Sequence, residues 1–103
     1  MDGMTATDID EMIDRVMTEN WQAHQRGILP TWTIFHRPRD WPKGYVARRF
    51  EINADGGEAT DTAFVGDDTP EALTMLRHIF SCAGLVCLKR NHEDHGSVVE
   101  TWV

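Results

Sequence analysis

Cysteine is scarce in this chain: Cys82 and Cys87 are the only two among 103 residues. Their spacing matches neither a Cys-x-x-Cys redox motif nor a zinc-binding pair, so thiolate-based redox and zinc chemistry are not indicated. A disulfide would require an oxidising compartment, which no other feature of the sequence suggests. We expect two buried free thiols, because unpaired cysteine is among the most frequently buried residue types.

Long apolar runs are also absent, and the first residues have neither the basic nor the apolar stretch of a signal peptide. A membrane-spanning helix would need about 20 consecutive apolar residues. These absences predict a cytoplasmic protein that does not cross a membrane.

Positive charge is in deficit, with 10 Lys and Arg residues against 17 Asp and Glu residues and a net charge of -7. The field of such a molecule repels both DNA and an anionic membrane, and only a local basic patch could override it. The surplus carboxylates could instead imitate the phosphates of DNA and occupy a DNA-binding protein. They form no long runs, however, which weakens this interpretation.

Recognisable catalytic motifs are missing: the chain has no Gly-x-Ser-x-Gly elbow, no dinucleotide fingerprint and no P-loop. Residues 92–95, His-Glu-Asp-His, offer four potential metal ligands. A turn rarely presents more than two of these to one ion, so we expect a solvated polar turn there. The alternative is a weak site for Zn or Ni, completed by His24, His36 or His78. The sequence thus predicts a protein that is not an enzyme, with no metal and no cofactor.

The composition is that of an ordinary globular protein, with 41% hydrophobic and 26% charged residues. The length suits one core, and no repeat or linker divides the chain, so we expect residues 1–103 to form a single domain.

Two helices are predicted, over residues 8–26 and from Pro70 to about Gly84. The first has apolar residues at three- and four-residue spacing, which predicts one packing face: Ile9, Met12, Ile13, Val16, Met17 and Trp21. The second begins with a capping Thr69 followed by Pro70, and Gly84 ends it.

Five strands are predicted, over residues 31–36, 45–53, 60–65, 85–88 and 97–103. Residues 85–88 are uninterruptedly apolar, which is typical of a strand buried on both faces. The order αβββαββ predicts an α+β two-layer sandwich, in which both helices cover one face of a mostly antiparallel sheet of about five strands.

Residues 32–50 contain five of the ten Lys and Arg residues and five of the nine aromatic residues. In one interpretation the rings are half-buried and the arginines pair with surplus carboxylates. In the other, the segment forms a basic aromatic binding surface, since Trp, Tyr and Arg are frequent interface hot spots. The candidate binding residues are Arg37, Arg39, Trp41, Lys43, Tyr45, Arg48 and Arg49. Alternation alone does not decide whether Arg48 or Arg49 faces the core.

The same segment carries a resemblance. Its elements are Trp32-Thr33-Ile34-Phe35 with Pro38, then Asp40-Trp41-Pro42, then Tyr45-Val46-Ala47-Arg48-Arg49-Phe50. This pattern, with Gly84-Leu85-Val86-Cys87-Leu88 and the closing Val98-Val99-Glu100-Thr101-Trp102-Val103, resembles small proteins of alphaproteobacteria and their prophages. The resemblance spans most of residues 31–103. It implies a phage or mobile-element setting but no particular chemistry, because that family has no established activity.

These observations together predict a small non-catalytic binding protein that engages a protein partner through the basic aromatic residues. A first alternative is nucleic-acid binding through the same surface, with an affinity that falls steeply as salt is added. The second is the acidic DNA mimic described above. We expect a monomer or a homodimer, since an exposed edge strand can pair across a dimer.

Overall fold

The computed structural model describes residues 6–88 and 96–103. Its elements are α1 (Ala6–Gln25), β1 (Leu29–His36), β2 (Gly44–Asn53), β3 (Gly56–Asp67), α2 (Pro70–Cys82), β4 (Cys87–Leu88) and β5 (Val98–Trp102). The predicted α+β fold with the order αβββαββ is confirmed. The predicted polar turn at residues 92–95, with its potential metal ligands, lies outside the described residues.

The five strands form one antiparallel sheet in the order β3-β2-β1-β5-β4. In the central strand β1, Trp32 lies opposite Arg49 of β2 on one side and opposite Trp102 of β5 on the other. The pairing of β2 with β3 shifts register between Arg48 and Phe50. A bulge therefore interrupts the ladder where the sequence contains its two adjacent arginines.

Both helices pack on the same face of the sheet, which we call the helix face. Trp32 is at the centre of the core, completely buried, with its ring centroid 5.5 Å from Phe64 and 5.4 Å from Phe80. The buried cluster comprises Val16, Trp32, Ile34, Ala47, Phe64, Leu76, Ile79, Phe80 and Trp102. Because strand residues alternate between faces, the members of this cluster on β1 and β2 are two residues apart or directly paired.

Local signals set the ends of α2 and the end of α1 as predicted, whereas α1 begins at Ala6, two residues before its predicted start. The Thr69 hydroxyl accepts a hydrogen bond of 3.1 Å from the Ala72 amide, and Pro70 occupies the first turn of α2. Gly84 and Gly27 follow the two helices with φ of +87° and +71°, a conformation that favours glycine.

The apolar stripe of α1 is narrower than predicted, because Trp21 is 63% exposed and Met17 is 50% exposed. Val16 and Ala23 are completely buried and define the packing direction. With about 100° of rotation per residue, Trp21 points roughly 140° away from Val16. Helix α1 contacts the sheet and α2 along one side only, so Trp21 remains outside the core.

The prediction of a strand buried on both faces at residues 85–88 is wrong. Only Cys87–Leu88 form a strand, and Val86, Cys87 and Leu88 are exposed. The reason is position: β4 is at the edge of the sheet and pairs with β5 alone. The prediction of buried thiols is also wrong, since Cys82 and Cys87 are both exposed and unpaired.

A buried acid on the helix face, Glu100, has hydrogen-bond partners. The buried carboxylate of Glu100 accepts hydrogen bonds of 2.8 and 3.0 Å from Arg77 and of 2.8 Å from the Trp102 indole. Burial raises the pKa of Glu100, but the bonds from Arg77 and Trp102 outweigh it, so the pKa lies below its ordinary value.

Within the described ranges, no helix is long and apolar enough to span a membrane.

Candidate functional site

The sheet face opposite the helices is covered by no helix among the described residues, and we call it the open face. Alternation and register assign to it Leu29, Thr31, Thr33, Phe35, Val46, Arg48, Phe50, Ile52, Ala63, Val65, Val86, Leu88 and Thr101. Seven large apolar side chains are exposed in the described part of the chain, and five of them are on this face: Leu29, Ile52, Val65, Val86 and Leu88. Solvent-exposed apolar area is therefore concentrated on one side of the molecule.

The centre of the open face is partly covered by its own side chains and by the β1–β2 loop, residues 37–43. Val46 is 2% exposed, and the rings of Phe35 and Phe50 lie 6.3 Å apart between centroids. A groove of about 250 Å³ lies where the loop meets the sheet, and we call it the loop groove. Its lining residues are Phe35, Pro38, Arg39, Asp40, Val46, Arg48, Phe50 and Ser97.

The base of the loop is fixed by backbone and ionic contacts. Arg37 has a φ of +52°, and its amide donates a 2.7 Å hydrogen bond to the Gly44 carbonyl. Its guanidinium Nε donates to Asp68 at 2.6 Å, and His36 Nε2 lies 2.8 Å from the other oxygen of that carboxylate. The hydrogen bonds from His36 and Arg37 hold the pKa of Asp68 below its ordinary value. Arg37 thus anchors the loop to the start of α2.

Gly44 permits this arrangement by its lack of a side chain. A Cβ at this position would lie 2.2 Å from the Gly66 carbonyl oxygen and 2.7 Å from the Asp67 carbonyl carbon. No side chain fits there without moving backbone, so the close approach of β2 to β3 at the end of the loop requires glycine.

The rest of the loop contains the cations without acidic partners. Arg39 and Lys43 form no ion pair with any described residue, and Lys43 Nζ lies 5.6 Å from the ring centroid of Trp41. Trp41 is half-buried, and its Nε1 is buried without a hydrogen-bond partner among the described residues. Arg48, on the open face, donates a 2.8 Å hydrogen bond to Asp40.

Tyr45 and Arg49 lie on the helix face, on the opposite side of the sheet from Arg48. The Tyr45 ring stacks on His36 at 4.5 Å between centroids. Arg49 is 9% exposed; its Nε lies 2.7 Å from Glu19 of α1, at an angle unsuited to a hydrogen bond, and its Nη1 donates to Glu51 at 2.9 Å. The idea of one surface containing all seven residues is therefore corrected, because Arg49 is in register with the buried Trp32.

The acids around Arg49 are shared with exposed arginines. Burial raises the pKa of Glu19, but hydrogen bonds from Arg15 and Thr62 and the charge of Arg49 outweigh it, so the pKa lies below its ordinary value. Hydrogen bonds from Arg26 and Arg49 likewise lower the pKa of Glu51. This network joins α1 to β2, and its role is structural.

Six lining residues of the loop groove were missed as site residues: Phe35, Pro38, Asp40, Val46, Phe50 and Ser97. For Val46 and Phe50 a signal was present, since alternation in β2 places them on the same face as Arg48. The signal was ambiguous because a strand face with three apolar residues and one arginine resembles a face that packs on the core.

A second groove, of about 530 Å³, lies between α1 and α2 and is lined by Ile9, Pro70, Glu71, Thr74, Met75 and His78. Its lining includes one carboxylate, from Glu71, and one imidazole, from His78. Among residues 6–88 and 96–103, no group of three or more His, Cys, Asp or Glu side chains is placed to hold a metal ion.

Comparisons of the chain with protein-family models, curated proteins and solved structures found no match. The resemblance to small alphaproteobacterial and prophage proteins therefore stays a prediction, and function has to be argued from the open face and the loop groove.

Proposed function

We propose that this chain is a small non-catalytic binding protein that engages a protein partner through the open face and the loop groove. The observation that supports this is the one-sided layer structure: two helices cover one face, while the other exposes five large apolar side chains. Contiguous exposed apolar patches on soluble domains typically mark interaction sites. The phage or mobile-element setting belongs to this proposal and rests on the resemblance alone.

The charge distribution around the loop suits a protein interface. Arg39 and Lys43 have no acidic partner among the described residues, and both are exposed. Lys43 lies beside the half-buried Trp41, and Arg39 lines the loop groove together with the rings of Phe35 and Phe50. An apolar centre of aromatic side chains with a polar, charged rim is the usual composition of a protein–protein interface.

Nucleic-acid binding has less support from the same residues. Arg37, Arg48 and Arg49 are each ion-paired within the chain, so Arg39 and Lys43 are the cations of the segment that have no acidic partner among the described residues. Salt-dependent DNA binding commonly involves about 6–10 phosphate contacts. The net charge of -7 also opposes it.

The DNA-mimic alternative needs carboxylates that are available on one surface. Glu19, Glu51 and Glu100 are instead engaged by arginines on the helix face. The exposed acids at the start of α1 already have an explanation in the helix dipole.

The test is affinity capture of the partner from the native cell, followed by mapping of its footprint with hydrogen exchange. Val65→Lys and Leu88→Lys place charges at the two margins of the open face, about 19 Å apart across five strands. Trp21→Lys is the control, because Trp21 is also an exposed apolar side chain but lies on α1. We expect protection of the open face, loss of capture with the two margin variants and retention with the control. Protection confined to the helices, or a second copy of this chain as the sole partner, would refute the proposal.

A further inference from the structure

One wall of the loop groove is closed by a contact between loop and sheet. Asp40 Oδ2 accepts a 2.8 Å hydrogen bond from Arg48 Nη2, and the side chains of Asp40 and Arg48 are 64% and 29% exposed. The pair stands beside the apolar floor formed by Phe35, Val46 and Phe50. The carboxylate of Asp40 therefore pairs with the guanidinium of Arg48 at the edge of an apolar groove.

The groove retains unused capacity for an anion. A guanidinium has five N–H donors, and one hydrogen bond of Arg48 to a described residue is present. Arg39 lines the same groove without an acidic partner among the described residues. At about 250 Å³ the groove is smaller than the roughly 300–1,000 Å³ typical of small-molecule sites, which suits one or two peptide side chains better than a metabolite.

We propose that the loop groove binds an acidic segment of the partner protein, and that Asp40 is an internal competitor for its carboxylate. A carboxylate of the partner exchanges with Asp40 on Arg48 and is also attracted by Arg39. A neighbouring apolar side chain of the partner then packs on Phe35 and Phe50. This inference rests on the proposed function and adds the chemistry of the partner to it.

The chain itself indicates which anion the groove takes. Arg48 already donates a hydrogen bond to one carboxylate, that of Asp40, and a guanidinium binds carboxylates well through its planar set of donors. A nucleic acid would bring many phosphates to a molecule of net charge -7, where Arg39 and Lys43 are the cations of residues 32–50 without an acidic partner among the described residues. Binding of an acidic peptide requires only the cations that line the groove, Arg39 and Arg48.

The first experiment sorts a random dodecapeptide library, displayed on yeast, against the labelled protein. We expect enriched peptides to contain Asp or Glu next to a large apolar residue. Enrichment of neutral or basic peptides, no enrichment, or binding of a single-stranded oligothymidine in place of peptide would overturn the inference.

The second experiment measures the affinity of an enriched peptide by fluorescence anisotropy. Because exposed ion pairs contribute little, Asp40→Asn should raise the affinity about two- to fivefold by removing the competitor. The matched control Asp14→Asn makes the same charge change on α1 and should leave the affinity unchanged. Arg48→Gln and Arg39→Gln should each weaken binding, and added salt should do the same. Equal effects of Asp40→Asn and Asp14→Asn would refute the role of Asp40.

The two proposals fail separately. If the native partner protects the open face but its contacting segment carries no acid, the inference fails and the proposed function stands. If the native partner binds the helices, the proposed function fails even when acidic peptides enter the groove.

Discussion

Two adjacent arginines of β2 should differ strongly in their contribution to stability. Arg48 points to the open face and pairs with an Asp40 side chain that is 64% exposed. Arg49 points to the helix face, where its side chain is 10% exposed and lies against Glu19 and Glu51, which are 16% and 15% exposed. We consider the replacements Arg48→Met and Arg49→Met, which remove the same charge from neighbouring positions.

The expected magnitudes follow from burial. Removing one partner of a buried ion pair costs about 3–5 kcal/mol, because the other charge is left without compensation. The acids around Arg49 keep Arg15 and Arg26 as partners, so we expect a loss of about 2–3 kcal/mol from Arg49→Met. The surface pair of Arg48 is worth about 0–1 kcal/mol, and methionine preserves most of its packing.

The assay is urea unfolding at pH 7, followed by far-ultraviolet circular dichroism. With an m-value of about 1–1.5 kcal/mol per M for a domain of this size, Arg49→Met should lower the midpoint by about 2 M. Arg48→Met should lower it by less than about 1 M. Equal shifts for the two variants, or a larger one for Arg48→Met, would refute the assignment of the two arginines to opposite faces.

The pKa of Glu100 lies below the ordinary value of 4.5, so its contribution to folding is complete above that pH and is lost as the pH falls through the lower folded-state value. We therefore expect Glu100→Gln to be less stable than the wild type at pH 7 and to lose less stability between pH 5 and pH 3; parallel losses in urea titrations would contradict this. Gly44→Ala should cost about 1–3 kcal/mol in the same titrations, because its Cβ meets backbone. Gly96→Ala, whose Cβ has no described atom within 4 Å, should stay within about 0.5 kcal/mol and serves as the control. Both thiols should react with Ellman's reagent without denaturant, because both are exposed. Cys87 should react more slowly than Cys82, because partial desolvation of its sulfur and the nearby charge of Glu100 raise the pKa of Cys87; protection of either thiol would show that the exposed placement is wrong.

Element types and their order were available from the sequence, because the signals for them are local. Thr69 and Pro70 begin α2 and Gly84 ends it through backbone preferences that need no tertiary contact. The alternation in residues 45–53 likewise identifies β2 as a strand with two different faces.

The candidate binding surface could be predicted only in part. The sequence located the cations and rings in one segment, and the structure places Arg39 and Arg48 at the same groove. It places Tyr45 and Arg49 on the other side of the sheet. A one-residue step in a strand reverses the direction of a side chain, so nearness in sequence did not imply nearness on the surface.

By itself, the sequence determined the α+β class, the order of the elements and the helix ends, since capping, periodicity and turn chemistry act over a few residues. Only the tertiary structure decided which sheet face the helices cover, that β4 is at an edge, and which arginine is buried. These depend on strand order and register, which bring together groups as distant in sequence as Glu19 and Arg49. No local pattern specifies such a pairing, because its free energy comes from burial shared between separate elements.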